Sequence, residues 1–347
     1  MIDYNTLLKL GENMNYSILL NIFLLIASLV ALWYSSDKSV EYSIKLSNLF
    51  GLTTFFIGFV LIAVATGLPE LAVSITSLWS KVPGVAVGTI IGSNLSDVSL
   101  VLGLPALFIG TLYVKQEDKL HLLLMLFVTS IVMALIFIIS PIVPYHGTIL
   151  IIIYAVIIWW LWKTESTKIV PKEKAIKLLY ENNNNNGLLK KITTATKLSI
   201  SLIIVMISSK FSVDAAVFLA NKFAYSLEAI GATIFAVGTS LPELALSFQS
   251  VKQKEYSLAF GNSFGSILEQ ATLILGILAL GSPTDSIKIK PFVPIAPLMF
   301  LSYGIVGYSL LKKSKTGKQV GLSRIEGAIL TLIFAIHVVY YFYFSVN

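Results

Sequence analysis

The chain alternates long apolar stretches with short polar breaks, and it shows little of the period-two alternation that marks strands. Apolar runs near or above 18 residues recur, as in the stretches containing Thr148–Trp162, Ile200–Ile207 and Ile325–Phe344. Runs of that length predict membrane-spanning helices. Ten are expected, over roughly 16–43, 50–80, 83–112, 119–139, 143–163, 195–221, 226–250, 254–281, 290–311 and 324–344. One stretch breaks the pattern. Residues 164–197 are charged and include the polyasparagine run Asn182–Asn186, which predicts a solvated linker. It divides the chain into 1–163 and 198–347, five spans each.

The two halves repeat one another. AVATGLPELAVSIT (Ala63–Thr76) aligns with AVGTSLPELALSFQ (Ala236–Gln249) at an offset of 173, with nine identities in fourteen. The same ungapped offset pairs Gly88–Leu104 with Gly261–Ile277, with seven identities in seventeen, and SSDKSVE (Ser35–Glu41) with SSKFSVD (Ser208–Asp214). Biased composition alone gives roughly one match in ten, so one register over three segments indicates duplication. Five is odd, so homologous halves of five spans must cross the membrane in opposite directions. The expected fold is an all-α polytopic membrane protein: ten transmembrane helices as two inverted five-helix repeats. In such proteins the binding site lies at the midplane between the halves.

Composition agrees. Hydrophobic residues make up 56% of the 347 and charged residues 12%, about half the soluble share. The net charge of +7 reflects a membrane rather than nucleic acid, because its lysines flank the spans. Breaks after the odd-numbered spans carry or adjoin 18 Lys and Arg against 5 for the N-terminus and the other breaks. Positive charge stays inside, so the linker is expected to be cytoplasmic and both termini external, with a first span that is permanent rather than a cleaved signal. There is no cysteine, and His121, His146 and His337 are scattered, which disfavours thiolate or imidazole metal sites. No nucleotide loop or Ser-His-acid arrangement is visible, so an enzyme with a resident cofactor is not expected.

The repeated segments are also the most polar. Pro69 and Pro242 lack an N–H, which should free the carbonyls of Ala65 and Gly238 and distort the turns holding Thr66 and Thr239. A plain kink satisfied by neighbouring helices is the bland account of one such proline. Two, each followed directly by a glutamate, favour a function. Glu70 and Glu243 cost about 2.5–3.5 kcal/mol each at mid-membrane. A structural ion pair would need a basic partner, and Lys210 is better matched to Asp214 one turn away. A cation is the natural partner. Ser93 and Asp97 share one helix face, as do their repeat partners Ser266 and Gln270. Glu269 adds a carboxylate about 100° round the helix, and Ser240 another hydroxyl. Gly88, Gly92, Gly261 and Gly265 allow close helix approach. Hard oxygen ligands at flexible distances suit Ca²⁺, and also Na⁺.

GTSLPEL, with GSNLSD and its partner GNSFGSILEQ, resembles the repeats of the calcium/cation antiporter superfamily, most strongly the prokaryotic sodium/calcium exchangers. The likeness implies exchange of Na⁺ for Ca²⁺ by alternating access, with spans 1 and 6 sliding. It implies Glu70 and Glu243 as shared central ligands, backbone oxygen from Thr66 and Thr239, and sodium sites flanked by Ala63, Ser93, Ala236 and Ser266. Two departures stand out. The family has Asn where this chain has Asp97 and Asp where it has Gln270, so the acid has changed repeats. Gly67 replaces the serine that Ser240 keeps. The Leu-Ser-Asp of the first repeat leans toward proton/calcium exchange, the main alternative. A passive cation channel is the rival from another class.

Overall fold

The computed structural model describes residues 4–49, 67–114, 116–166, 186–282, 287–312 and 321–344. Its elements are helices α1 (Tyr4–Leu49), α2 (Leu68–Trp79), α3 (Pro83–Phe108), α4 (Gln116–Ile138), α5 (Pro144–Ser166) and α6 (Asn186–Phe223). They continue with α7, built from Leu227–Ile230, a π-helical stretch Gly231–Phe235 and Ala236–Thr239, then α8 (Leu241–Lys252). Helix α9 runs through Tyr256–Glu269, a π stretch Gln270–Ile274 and Leu275–Gly281. Helix α10 opens as a 3₁₀ turn, Lys290–Ile295, and continues as Ala296–Leu311, and α11 is Arg324–Phe344.

Among the described residues, nine helices or helix pairs are long and apolar enough to cross a membrane. The tenth expected span, 50–80, is described only from residue 67, where α2 supplies its second half. Residues 164–166 and 186–197, both inside the segment read as linker, are helical. Helices α5 and α6 therefore extend into the segment read as linker, and Leu, Lys and Ala after the asparagines favour the helix there.

Helix α3 is the centre of the molecule. In its 18-residue apolar window 94% of residues are buried. A helix apolar on all sides must be covered on all sides, and α3 packs on α2, α7, α8, α9, α10 and α11. Gly88 and Gly92 permit its contact with α7. A Cβ on Gly92 would lie 2.5 Å from the Ala232 carbonyl oxygen, and one on Gly88 2.6 Å from that of Glu228. The expectation fails at Gly261, where a Cβ meets nothing within 4 Å. Composition marks a glycine without marking whether another backbone approaches it.

The long helices α1 and α6 pack along each other. Ser39 Oγ donates to Ser201 Oγ at 2.8 Å and Ser212 Oγ to Ser28 Oγ at 2.9 Å. Partners move up one helix as they move down the other, so the pair is antiparallel. On their outer faces Phe23, Ile26, Ile203 and Phe211 are more than half exposed, as lipid-facing side chains are. Lys210 Nζ meets Asp214 Oδ1 at 2.5 Å, the ion pair the sequence spacing predicted.

Candidate functional site

Both LPE motifs begin helices. Pro69 and Pro242 occupy the second position of α2 and α8, where a missing N–H costs nothing. Pro242 thus starts a helix after a local break, and Pro69 stands at the start of α2 as described. In the second half the break is the single residue Ser240 (φ −79°, ψ 3°). Glu70 and Glu243 fall in the first turns of these half-helices, at the positive end of the helix dipole, which favours ionised carboxylates. Both are fully buried.

Helix α3 reaches across the break in the other half. Ser93 Oγ lies 3.2 Å from Thr239 Oγ1 and donates to the Ala236 carbonyl at 3.4 Å. The hydroxyls of Ser93 and Thr239 lie beside the Glu70 carboxylate. They do not meet hydrogen-bond geometry, and neither Glu70 oxygen has a hydrogen-bond partner among the described residues. Nor is Glu70 in any ion pair there. One turn along α3, Asp97 Oδ2 accepts from Gln270 Nε2 at 2.7 Å, and Oδ1 has no hydrogen-bond partner among the described residues. The Ser240 hydroxyl sits beside Asp97.

Glu269 points into this cluster. Its carboxylate lies against Gly67: a Cβ there would be 2.9 Å from Oε2 and 3.0 Å from Oε1. It is within electrostatic range of Glu70 and Asp97, and Oε2 has no hydrogen-bond partner among the described residues. Ser266, on α9, is buried, and its hydroxyl has no hydrogen-bond partner among the described residues. The structure therefore gathers Glu70, Ser93, Asp97, Ala236, Thr239, Ser240, Glu269 and Gln270 into one buried region, with Glu243 opening the helix that follows. Ala63 and Thr66 lie outside the described residues. Among the described residues, no three Asp, Glu or His side chains form a preformed metal cage. A cation here would take one or two carboxylates and complete its shell with hydroxyl and carbonyl oxygen.

Two residues escaped the sequence argument. Asn94 Nδ2 donates to the Ile267 carbonyl at 2.8 Å, and the Tyr303 hydroxyl of α10 donates to Asn94 Oδ1. This clamp holds α3 to α9 next to the carboxylates. Asn94 lay within the quoted GSNLSD motif, but nothing in the local sequence signalled Tyr303. The pairs Asn94–Ile267 and Asp97–Gln270 both join residues 173 apart, the repeat offset. π stretches at Gly231–Phe235 and Gln270–Ile274 flank the site, a position they often take at functional centres.

Residues 20–163 and 196–343 match the family model described as "Sodium/calcium exchanger protein". The chain belongs to that family. It is 31% identical over 315 residues to inner membrane protein YrbG of Escherichia coli, covering 89% of this chain and 94% of that one. It is 27% identical over 357 residues to the sodium/calcium exchanger MaX1 of Methanosarcina acetivorans, covering 94% and 99%. The fold is that of the sodium-calcium exchanger NCX_Mj, with a TM-score of 0.61, 24% identity and coverage of 93% and 99%. The family member is a multi-pass membrane protein of exchanger type.

Proposed function

We propose that this exchanger-family protein trades Na⁺ for Ca²⁺ by alternating access at a midplane site. The observation that carries the reading is Glu70, a fully buried carboxylate that has no hydrogen-bond or ion-pair partner among the described residues and lies beside the hydroxyls of Ser93 and Thr239. A buried charge left so is costly unless a cation completes it. Glu70 and Glu243 act as central ligands, and Thr66 and Thr239 give backbone oxygen. Ser93, Ser266, Ala63 and Ala236 border sodium positions, and Asp97, Gln270, Ser240 and Glu269 complete the set.

The antiparallel repeat is supported by contacts that recur under the 173 offset. Ser28 and Ser39 are repeat partners of Ser201 and Ser212, and the bonds Ser39–Ser201 and Ser212–Ser28 exchange under that mapping. The turns after α2 and α8 carry left-handed residues at matched positions, Lys81 (φ 58°) and Lys254 (φ 63°). With positive charge inside, both termini are external and the linker is cytoplasmic. A passive channel fits less well, because Glu70, Asp97 and Glu243 are all closed from solvent.

Calcium uptake into sodium-loaded proteoliposomes tests the reading. Uptake should collapse without the sodium gradient. Glu70→Gln and Glu243→Gln should each reduce it at least ~10-fold, equivalent to about 1.4 kcal/mol. Retained exchange in both variants would remove them as central ligands. Proton coupling is the second reading, favoured by the transposed Asp97 and the added Glu269. Uptake driven by a pH gradient without sodium would select it.

A further inference from the structure

The helices that follow the two glutamates carry a second matched feature. Ser74 and Ser77 stand four and seven residues after Glu70, and Ser247 and Ser250 stand four and seven after Glu243. That spacing puts each pair on its glutamate's face of the helix. All four serines are buried, three of them completely and Ser250 at 3% exposure. None of the four hydroxyls has a hydrogen-bond partner among the described residues.

Ser96, Thr129, Ser240, Ser266 and Ser282 are also buried without a hydrogen-bond partner among the described residues, but only the two pairs on α2 and α8 recur at matched positions behind a glutamate, and other buried hydroxyls bond back to their own helix. Thr76, on the same helix, donates to the Ala72 carbonyl at 2.8 Å, Thr89 to Val85 at 2.8 Å and Ser99 to Leu95 at 2.5 Å. Back-bonding of that kind is the usual refuge of a helical hydroxyl in an apolar setting. Leaving one unsatisfied costs about 1–3 kcal/mol, and here the cost recurs four times at symmetric positions. At the head of one row stands Glu70, buried and itself without a hydrogen-bond partner among the described residues. Helix α2 packs on α3 and α9, and α8 on α9 and α3, so both rows lie in the interior rather than toward lipid. Seven residues rise about 10 Å and the helices end two residues later, at Trp79 and Lys252, together about half the ~30 Å hydrocarbon core.

We propose that Ser74–Ser77 and Ser247–Ser250 line two cation routes, one from each membrane face to the central glutamates. Their hydroxyls replace part of the water that a hard cation sheds on entering. The proposal rests on the antiparallel halves and the exchange reading above. It adds four residues to the transport machinery, none of them a ligand of the central site. With the N-terminus external, the Ser77 route opens outside and the Ser250 route opens inside.

The natural absence of cysteine gives a clean test. The full-length variants S74C, S77C, S247C and S250C are reconstituted and treated from one face at a time with a membrane-impermeant cationic methanethiosulfonate. Labelling is read by protein mass. Ser74→Cys and Ser77→Cys should label from one face only, Ser247→Cys and Ser250→Cys only from the other, and saturating calcium should slow the two inner positions. The proposal is overturned if both rows label from the same face, if one row labels from both, or if all four stay inert while Lys254→Cys reacts. Mass labelling needs no calcium flux, so its failure is separate from failure of exchange, which appears as wild-type uptake indifferent to every counter-ion. Should a cysteine variant misfold, Ser77→Ala and Ser250→Ala replace it, with unchanged calcium flux counting against the routes.

Discussion

At the scale of single residues, Gly67 and Glu269 are one substitution in two places. The carboxylate fills space that any side chain at Gly67 would enter. The obstruction is the end of a flexible side chain, so Gly67→Ser can fold by displacing it. We expect this variant to keep its thermal stability and to change its calcium affinity. Glu269→Gln should blunt that sensitivity, giving a double-mutant coupling of about 0.5–3 kcal/mol in calcium titrations. Additive effects would place Glu269 outside the site. Gln270 and Asp97 also compensate locally, since the amide donates to the acid across the repeat boundary. The residue types were legible in the sequence, as was their departure from the family pattern. Their pairing was not, because Gly67 and Glu269 are about 200 residues apart and meet only through the packing of α2 against α9.

At the scale of elements, the sequence carried the helices well and their breaks less well. Apolar run length set the spans, and the LPE motifs marked where two half-helices meet. The prolines stand in the first turns of α2 and α8, where the new helix has no use for the missing N–H. The glycines separate by neighbour rather than by spacing. Gly92→Ala should cost about 1–3 kcal/mol, since its methyl group would meet the Ala232 backbone and the Ala236 side chain, which cannot retreat cheaply. Gly261→Ala has open space and should be neutral or stabilising by about 0.5–1 kcal/mol through helix propensity. Thermal unfolding of the purified variants measures the contrast, and equal effects would contradict the close approach of α3 to α7.

At the scale of the whole molecule, each half closes on the other. Gly103 of α3 packs against the Gly327 carbonyl of α11, and Gly276 of α9 against the Gly147 carbonyl of α5. The third helix of each half is therefore clasped by the last helix of its partner, and the central helices are held rigidly around the site. Helices α1 and α6 stand apart, joined mainly to each other through the Ser28–Ser212 and Ser39–Ser201 bonds. If this pair moves over the core during transport, its relative position with α2 and α8 must change. Helix α2 already packs along α6, with Thr76 Oγ1 3.0 Å from Ser209 Oγ, while α8 meets α1 only sparsely. A disulfide between Thr76→Cys and Ser209→Cys should arrest calcium exchange and reduction should restore it. Full exchange by the oxidised pair would exclude movement of α6 against α2. By itself the sequence determined the membrane class and the exchanger family, and it carried the 173-residue repeat and the buried carboxylates on which the proposed site rests, because hydropathy, repetition and charge are local properties of the chain. Only the tertiary structure decided that Glu269 joins the cluster, that Tyr303 and Asn94 brace it, and which glycines are needed. Each depends on contacts between distant segments, and no local pattern encodes which of them approach.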